Sequence, residues 1–355
     1  MSDIENDSTS RALGVRIGRG DFLKLAGLSI GAAVAGFPVF VSGARAQAGG
    51  TPITGWGQGI RIVFQAGGNT GDAFAQIVVN GALQAAQDLG CQLDLLHAGW
   101  DSSTMVQQYR QVIATAPDGL AMMGHPGDEA LMPIAKLAQE QGVLTEYVNV
   151  DVPQVRAAFG GGYVGATLYR QGEILGETSI KDFGLKAGDK AIVFGNFGMP
   201  GIEPRDNGIV EALEKGGVEV TKVVQQVQFA TNPSGMTSLV VGAMENVPDA
   251  KLVSFSGGQF VGAAGIYMKA AGKAPGQVKV IGFDILPAVV TAMEEDWAHL
   301  VSVQQPYLQG YLPVLSLCLQ KKWRFSPLVV DTGTGTVSYK DVAAYAELVQ
   351  TGIAG

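Results

Sequence analysis

The chain has 355 residues, 47% hydrophobic and 16% charged, and its 24 Lys and Arg against 32 Asp and Glu leave a net charge of −8 and a pI near 5.0. That length exceeds one ordinary core and suits two domains, while the composition excludes a disordered chain or a repetitive filament. The acidic balance, with no long basic run, would repel phosphate backbones and speaks against nucleic-acid binding.

Residues 1–46 read as a targeting segment. A charged stretch ending in Arg19 and Lys24 precedes an apolar run from Leu25 to Val41, and Ala44-Arg45-Ala46 offers small residues at the two positions a signal peptidase inspects. Pro38 and the Gly and Ala content make the run marginal as a membrane span, which needs about 20 strongly apolar residues. Gly18-Arg19-Gly20-Asp21-Phe22-Leu23-Lys24 resembles the twin-arginine export motif Ser-Arg-Arg-x-Phe-Leu-Lys, with Gly20 in place of the second arginine. The expectation is export to the periplasm, cleavage near Ala46-Gln47 and no stable membrane insertion afterwards.

Beyond the leader, short apolar runs alternate with longer amphipathic ones. Residues 60–64 predict a strand, and Phe74, Ile77, Val78, Ala82, Ala85 and Leu89 recur at helical spacing until Gly90. The same rhythm predicts strands over 92–96, 119–123 and 143–148, with helices over 103–115 and 129–141 between and after them. It then repeats, with strands over 191–194, 218–224, 252–255, 278–283 and 301–303 and helices over 203–215, 233–246, 260–271 and 286–296. Such βαβα order calls for parallel sheets covered by helices on both faces. Two consecutive units imply an α/β protein of two doubly wound, Rossmann-like lobes, with Gly160-Gly161-Gly162 where the first unit ends.

Enzyme and cofactor motifs are scarce. Gly195-Asn196-Phe197-Gly198-Met199-Pro200-Gly201 follows a strand and opens a helix, but its G-x-x-G-x-x-G spacing and the lack of an acid at the end of the next strand favour a structural turn. His97, His125 and His299 are scattered, so no nucleophile–base pair assembles, and the reading calls for no metal and no cofactor. Cys91 and Cys318, the two cysteines, read as free buried thiols, although an oxidising compartment would permit them to pair.

Polar residues at strand ends are more telling, because ligands of open parallel sheets bind beyond the carboxyl ends of the strands. Asn149, Asp284 and Gln304 each follow a strand, Asp72 and Phe74 lie just past the first one, and Arg205 sits in the first turn of the helix after the glycine-rich turn. Asp72 and Asp284 also suit helix N-termini on purely structural grounds.

These residues fall into ordered motifs that resemble the ribose-type (type I) periplasmic sugar-binding proteins. Asp72-Ala73-Phe74 precedes Gly81 as Asn-Pro-Phe does in that family, and Arg205-Asp206-Asn207-Gly208 matches its Arg-x-x-Gly. Gly282-Phe283-Asp284 matches Gly-Phe-Asp, and Gln304 through Gly310 matches Gln-x-Pro-x-x-x-Gly. The resemblance covers nearly the whole mature chain. It implies two lobes joined by a hinge, residues 47–165 plus 306–330 and residues 166–305 plus 331–355, with Asp72, Phe74, Asn149, Arg205, Asp284 and Gln304 lining a ligand site between them. Two departures stand out: Thr167-Leu168 replaces an Asp-Asn at the first crossing, and Ser256-Gly257 replaces an Asn-Asp, leaving Gln259 as the nearest substitute contact.

Carboxylates at Asp72 and Asp284 would accept from hydroxyls, Arg205 would donate in a fixed fork, and Phe74 would stack on C–H groups. With two acids and one base the inferred site nets about −1 charge, which suits a neutral or amino-bearing sugar or polyol better than an anion. The resemblance implies a solute receptor that hands its ligand to an ABC transporter permease. A cofactor-dependent enzyme on a small polar substrate and a chemosensory receptor of the same fold stay open at this level.

Overall fold

The computed structural model describes residues 54–199 and 201–354. The leader and cleavage readings for residues 1–47 therefore lie outside the described residues. None of the helices described is long and apolar enough to cross a membrane.

Strands β1 (Arg61–Gln65), β2 (Gln92–Leu96), β3 (Gly119–Met123), β4 (Leu144–Asn149), β5 (Gly162–Gly165) and β11 (Val329–Asp331) form one sheet in the order β11-β5-β4-β3-β1-β2. Every pairing in it is parallel. Strands β6 (Lys190–Gly195), β7 (Glu219–Val224), β8 (Ala250–Phe255), β9 (Lys279–Phe283), β10 (Leu300–Val303) and β12 (Gly335–Ser338) form the other, in the order β12-β10-β9-β8-β6-β7. The first five strands of each sheet thus repeat one winding, in which the chain starts inside the sheet and reverses direction between its first and third strands. Parallel strands covered on both faces must be apolar on both faces, and β3 is buried at all five positions. One edge departs from the all-parallel expectation: β12 pairs antiparallel with β10.

Helices follow the strands: α1 (Ala73–Leu89), α2 (Ser102–Ile113), α3 (Gly127–Glu140), α4 (Pro153–Phe159), α5 (Leu168–Phe183), α6 (Glu203–Lys215), α7 (Thr237–Asn246), α8 (Gly258–Gly262), α9 (Ala264–Ala270), α10 (Pro287–Glu294), α11 (Pro306–Trp323) and α12 (Val342–Gln350). Asp72 caps α1 by accepting from the Ala75 N–H, and Gly90 ends it in the left-handed conformation at φ 72°. Two predicted helices are subdivided. The segment over 233–246 opens as a 3-10 turn, Pro233–Met236, where proline favours a tight start. The one over 260–271 breaks at Ala263, beside Gly262, where an added Cβ would sit 2.7 Å from that of Ala288.

The sequence reading placed no element between Asn149 and Ala191, where the structure has α4, β5 and α5. Their signals are weak for a physical reason. β5 reads Gly-Tyr-Val-Gly because a Cβ at Gly162 would strike the Glu146 carboxylate. Gly172 and Gly176 interrupt the apolar stripe of α5 because that face packs directly on α6. A Cβ at Gly172 would meet the Arg205 carbonyl at 1.9 Å, and one at Gly208 the Tyr169 carbonyl at 2.2 Å. The same device joins α1 to α11, where Gly81 faces the Tyr307 carbonyl at 2.0 Å and Gly310 the Val78 carbonyl at 1.9 Å. Helix α11, although it follows a strand of the second sheet, therefore packs on the first.

Candidate ligand-binding site

The carboxyl ends of strands from both sheets surround a cavity of about 240 Å³. Phe74, Trp100, His125 and Asn149 line it from the first sheet's side, and Asn196, Arg205, Gln225, Ser256, Asp284 and Gln304 from the second, with Gln259 at the start of α8. Six of the seven residues singled out in the sequence are thus brought together here. The seventh, Asp72, lines an adjoining compartment of about 520 Å³ that shares Phe74, Trp100, Gln259 and Asp284 with the first.

Asn149 and Asp284 each leave their strand with φ at 67°. Asn and Asp tolerate that left-handed turn better than other non-glycine residues, so backbone geometry and site chemistry select the same residue types. Asn149 is the last residue of β4 rather than the one after it. Its Nδ2 donates to Gln304 Oε1 at 3.1 Å and to Gln309 Oε1 at 2.9 Å, and Gln304 Nε2 donates to Asp284 Oδ1 at 2.8 Å. Gln309 Nε2 in turn donates to the Gln304 carbonyl and to Thr332 Oγ1. One amide chain thereby runs from a strand of the first sheet to Asp284 on the second.

Arg205 is 9% exposed, with its guanidinium carbon 4.0 Å from the centre of the Phe283 ring. Its Nη2 donates to Ser256 Oγ at 3.2 Å, and Asn196 Nδ2 donates to the same oxygen at 2.7 Å. Gln225 fixes that loop by donating Nε2 to the Ser256 carbonyl and accepting the Ser256 N–H. Ser256, the departure from the family motif, is thus an anchor for Arg205 and Asn196. Burial raises the Asp206 carboxyl above its ordinary value against the opposing pull of Arg205. Arg205 Nε, Asn196 Oδ1, Asp206 Oδ1 and His125 Nδ1 are buried and have no hydrogen-bond partner among the described residues. A buried polar atom without a partner is costly, and Asn196 and Arg205 stand in the cavity wall with hydrogen-bonding capacity unused.

On the opposite wall the aromatic residues are held in place. Trp100 adopts φ 61°, rare for so large a side chain. Its Nε1 donates to Asp72 Oδ2 at 3.0 Å, its N–H bonds the Gly67 carbonyl, and its ring lies where a Cβ at Gly67 would be, 2.3 Å from Cζ3. Asp72, expected to meet the ligand, accepts from the α1 cap through Oδ1 and from Trp100 through Oδ2, with a second lone pair left on each oxygen. His125 lies tilted at 47° to the Trp100 ring with centroids 5.1 Å apart, and burial lowers its pKa to about 4, so it is neutral near pH 7. Trp100, His125, Asn196, Gln225 and Ser256 are lining residues that the sequence does not single out as ligand contacts. Each except Trp100 lies within two residues of a strand's carboxyl end, and scanning every such position would have found them. Among the described residues no three His, Cys, Asp or Glu side chains gather as a metal site.

Residues 65–321 match the family model of the periplasmic binding protein domain. The chain belongs to that family. The type I resemblance and the two-lobed α/β architecture read from the motifs are thereby established. A xylose/arabinose-binding protein of Sulfolobus acidocaldarius is 24% identical over 69% of this chain, and a D-ribose/D-allose-binding protein of Pseudomonas aeruginosa 29% over 55%. The chain spans 62% and 60% of those relatives' own lengths. A carbohydrate transporter from Acidothermus cellulolyticus, solved in complex with myo-inositol, superposes with a TM-score of 0.69 at 24% identity, covering 83% of this chain and 99% of that one. At that identity the likeness speaks for the fold.

Proposed function

We propose that this periplasmic binding protein domain is an exported receptor that captures one sugar or polyol molecule, neutral or amino-bearing, and delivers it to an ABC transporter permease. The observation that carries the reading is the pairing of an aromatic wall, Phe74 and Trp100, with an opposing set of fixed donors and acceptors drawn from both sheets. A sugar has that same two-sidedness: hydroxyls that donate and accept, and a face of C–H groups that stacks on aromatic rings. Asp284 and Arg205 balance one another, so the lining holds no spare positive charge of the kind a phosphate or uronate needs on losing its hydration. The names of the relatives and of the superposed transporter support a carbohydrate ligand.

The test is a thermal-shift screen of neutral pentoses, hexoses, cyclic polyols and amino sugars, followed by calorimetry. A ligand at about 1,000 times its Kd should add roughly 4 kcal/mol of stability and be recovered chemically unchanged. Binding confined to sugar phosphates or uronates would overturn the charge argument, and turnover of a bound compound would favour an enzyme.

A further inference from the structure

Cys91 and Cys318 are the two cysteines of the chain, and the fold brings them together. Cys91 lies between the Gly90 cap of α1 and the first residue of β2, half-buried. Cys318 is fully buried in α11, in the same apolar core. Each thiol is the largest influence on the other's ionisation, lowering the pKa of Cys91 and raising that of Cys318, as befits neighbouring groups. Contacts independent of the sulfurs place α11 over the same end of the sheet. Trp323 stacks on Trp56 with centroids 4.4 Å apart, and the next residue, Gly57, packs close to Cys91, since a Cβ there would sit 3.2 Å from the Cys91 Cβ. Lys321 pairs with Asp118 at 2.7 Å at the foot of β3.

We propose that Cys91 and Cys318 close into a disulfide on exposure to an oxidising disulfide donor, stapling the returning helix α11 to the start of β2. The proposal does not depend on what the cavity binds. An exported chain meets such donors, whereas a chain kept in a reducing cytosol does not. The half-buried Cys91 gives up its proton and attacks one sulfur of the donor, forming a mixed disulfide and releasing the first donor thiol. Cys318 then gives up its proton and attacks the Cys91 sulfur, breaking the mixed disulfide and releasing the second donor thiol. Two cysteine thiols are oxidised, one donor disulfide is reduced to two thiols, and the protons pass to the departing thiolates. Hydrogen bonding from Cys318 favours the Cys91 thiolate, while Cys318 itself, held by Cys91 and by burial, ionises far less readily, which orders the steps.

The experiment uses the full chain, incubated natively with oxidised glutathione, then denatured, alkylated and weighed. The expected product carries no alkyl group and no glutathione, is lighter than the reduced chain by two hydrogens, and yields one linked peptide pair containing both cysteines. Its Tm should exceed that of the dithiothreitol-treated chain by about 4–10 °C, and that response should vanish in Cys91→Ser and Cys318→Ser. Two alkylatable thiols after oxidation, glutathione retained on either cysteine of the wild type, or a link between two chains would each overturn the proposal.

Discussion

Glu146 sits in the middle of β4, fully buried, where Gln320 Nε2 and the Ser316 hydroxyl donate to Oε1 while Oε2 has no hydrogen-bond partner among the described residues. Burial raises its pKa from 4.5 to about 8, against the opposing hydrogen bonds from Ser316 and Gln320. The folded chain therefore binds a proton that the unfolded chain has released above pH 4.5. Stability tied to that proton is complete below pH 4.5 and is lost as pH rises toward 8. Glu146→Gln, which keeps an amide in place of the protonated acid, should gain on wild type by on the order of 2–3 kcal/mol between pH 4.5 and 7. Urea melts of both proteins across that range check this, and a pH-independent difference would mean the carboxylate is ionised in place. In the cavity, Arg205→Lys keeps charge but loses the planar fork stacked on Phe283, and should weaken ligand binding about 30-fold, roughly 2 kcal/mol, by calorimetry. Asp284→Ala strands the Gln304 Nε2 donor and should cost on the order of 2–3 kcal/mol of binding. Asp72→Asn keeps one acceptor, enough for either the α1 cap or the Trp100 bond, and should stay within about tenfold of wild type, roughly 1.4 kcal/mol.

Helix pairing explains glycines that the motifs only flagged. Gly81 with Gly310, and Gly172 with Gly208, let two helix backbones approach until a carbonyl oxygen occupies the volume a methyl group would need. The crossing recurs once beside each sheet, between α1 and α11 and between α5 and α6. Gly310→Ala gains helix propensity yet must push the two backbones apart. The second effect should win, with a net loss of about 2–3 kcal/mol in chemical denaturation. An unchanged midpoint would show that the crossing can relax. The same packing placed Arg205: its backbone is the part of α6 that Gly172 touches, so the side chain leaves a helix held rigidly against α5.

At the scale of the molecule, three connections join the two sheets: β5 to α5, β10 to α11, and β11 to β12. Asp331 Oδ1 accepts from the Thr167 and Gly333 N–H groups, and Gln305 Nε2 donates to the Thr332 carbonyl, so the connections are tied to one another. Beside them runs the Asn149–Gln304–Gln309–Thr332 chain of amides. A cavity with walls on both sheets and short, cross-linked connections on one side favours hinge closure around a ligand that contacts both. Small-angle scattering at ligand saturation should therefore give a smaller radius of gyration than the free protein. An identical profile would sink the closing-cleft reading.

The sequence by itself determined the α/β class, the two windings and most of the cavity's polar residues. Apolar periodicity reports burial directly, and an Asn, Asp or Gln just past an apolar run marks the carboxyl end of a strand. It could not assign β5 and α5, because their glycines answer to neighbours, Glu146 and Arg205, that are distant in the chain. Nor could it reveal that Asp72 serves Trp100, that Ser256 anchors Arg205, or that Cys91 meets Cys318. Those pairings depend on which helix crosses which strand, and distances across a fold leave no periodicity along the chain. The tertiary structure decided them by bringing the carboxyl ends of two sheets, and the two ends of the first one's sequence, into contact.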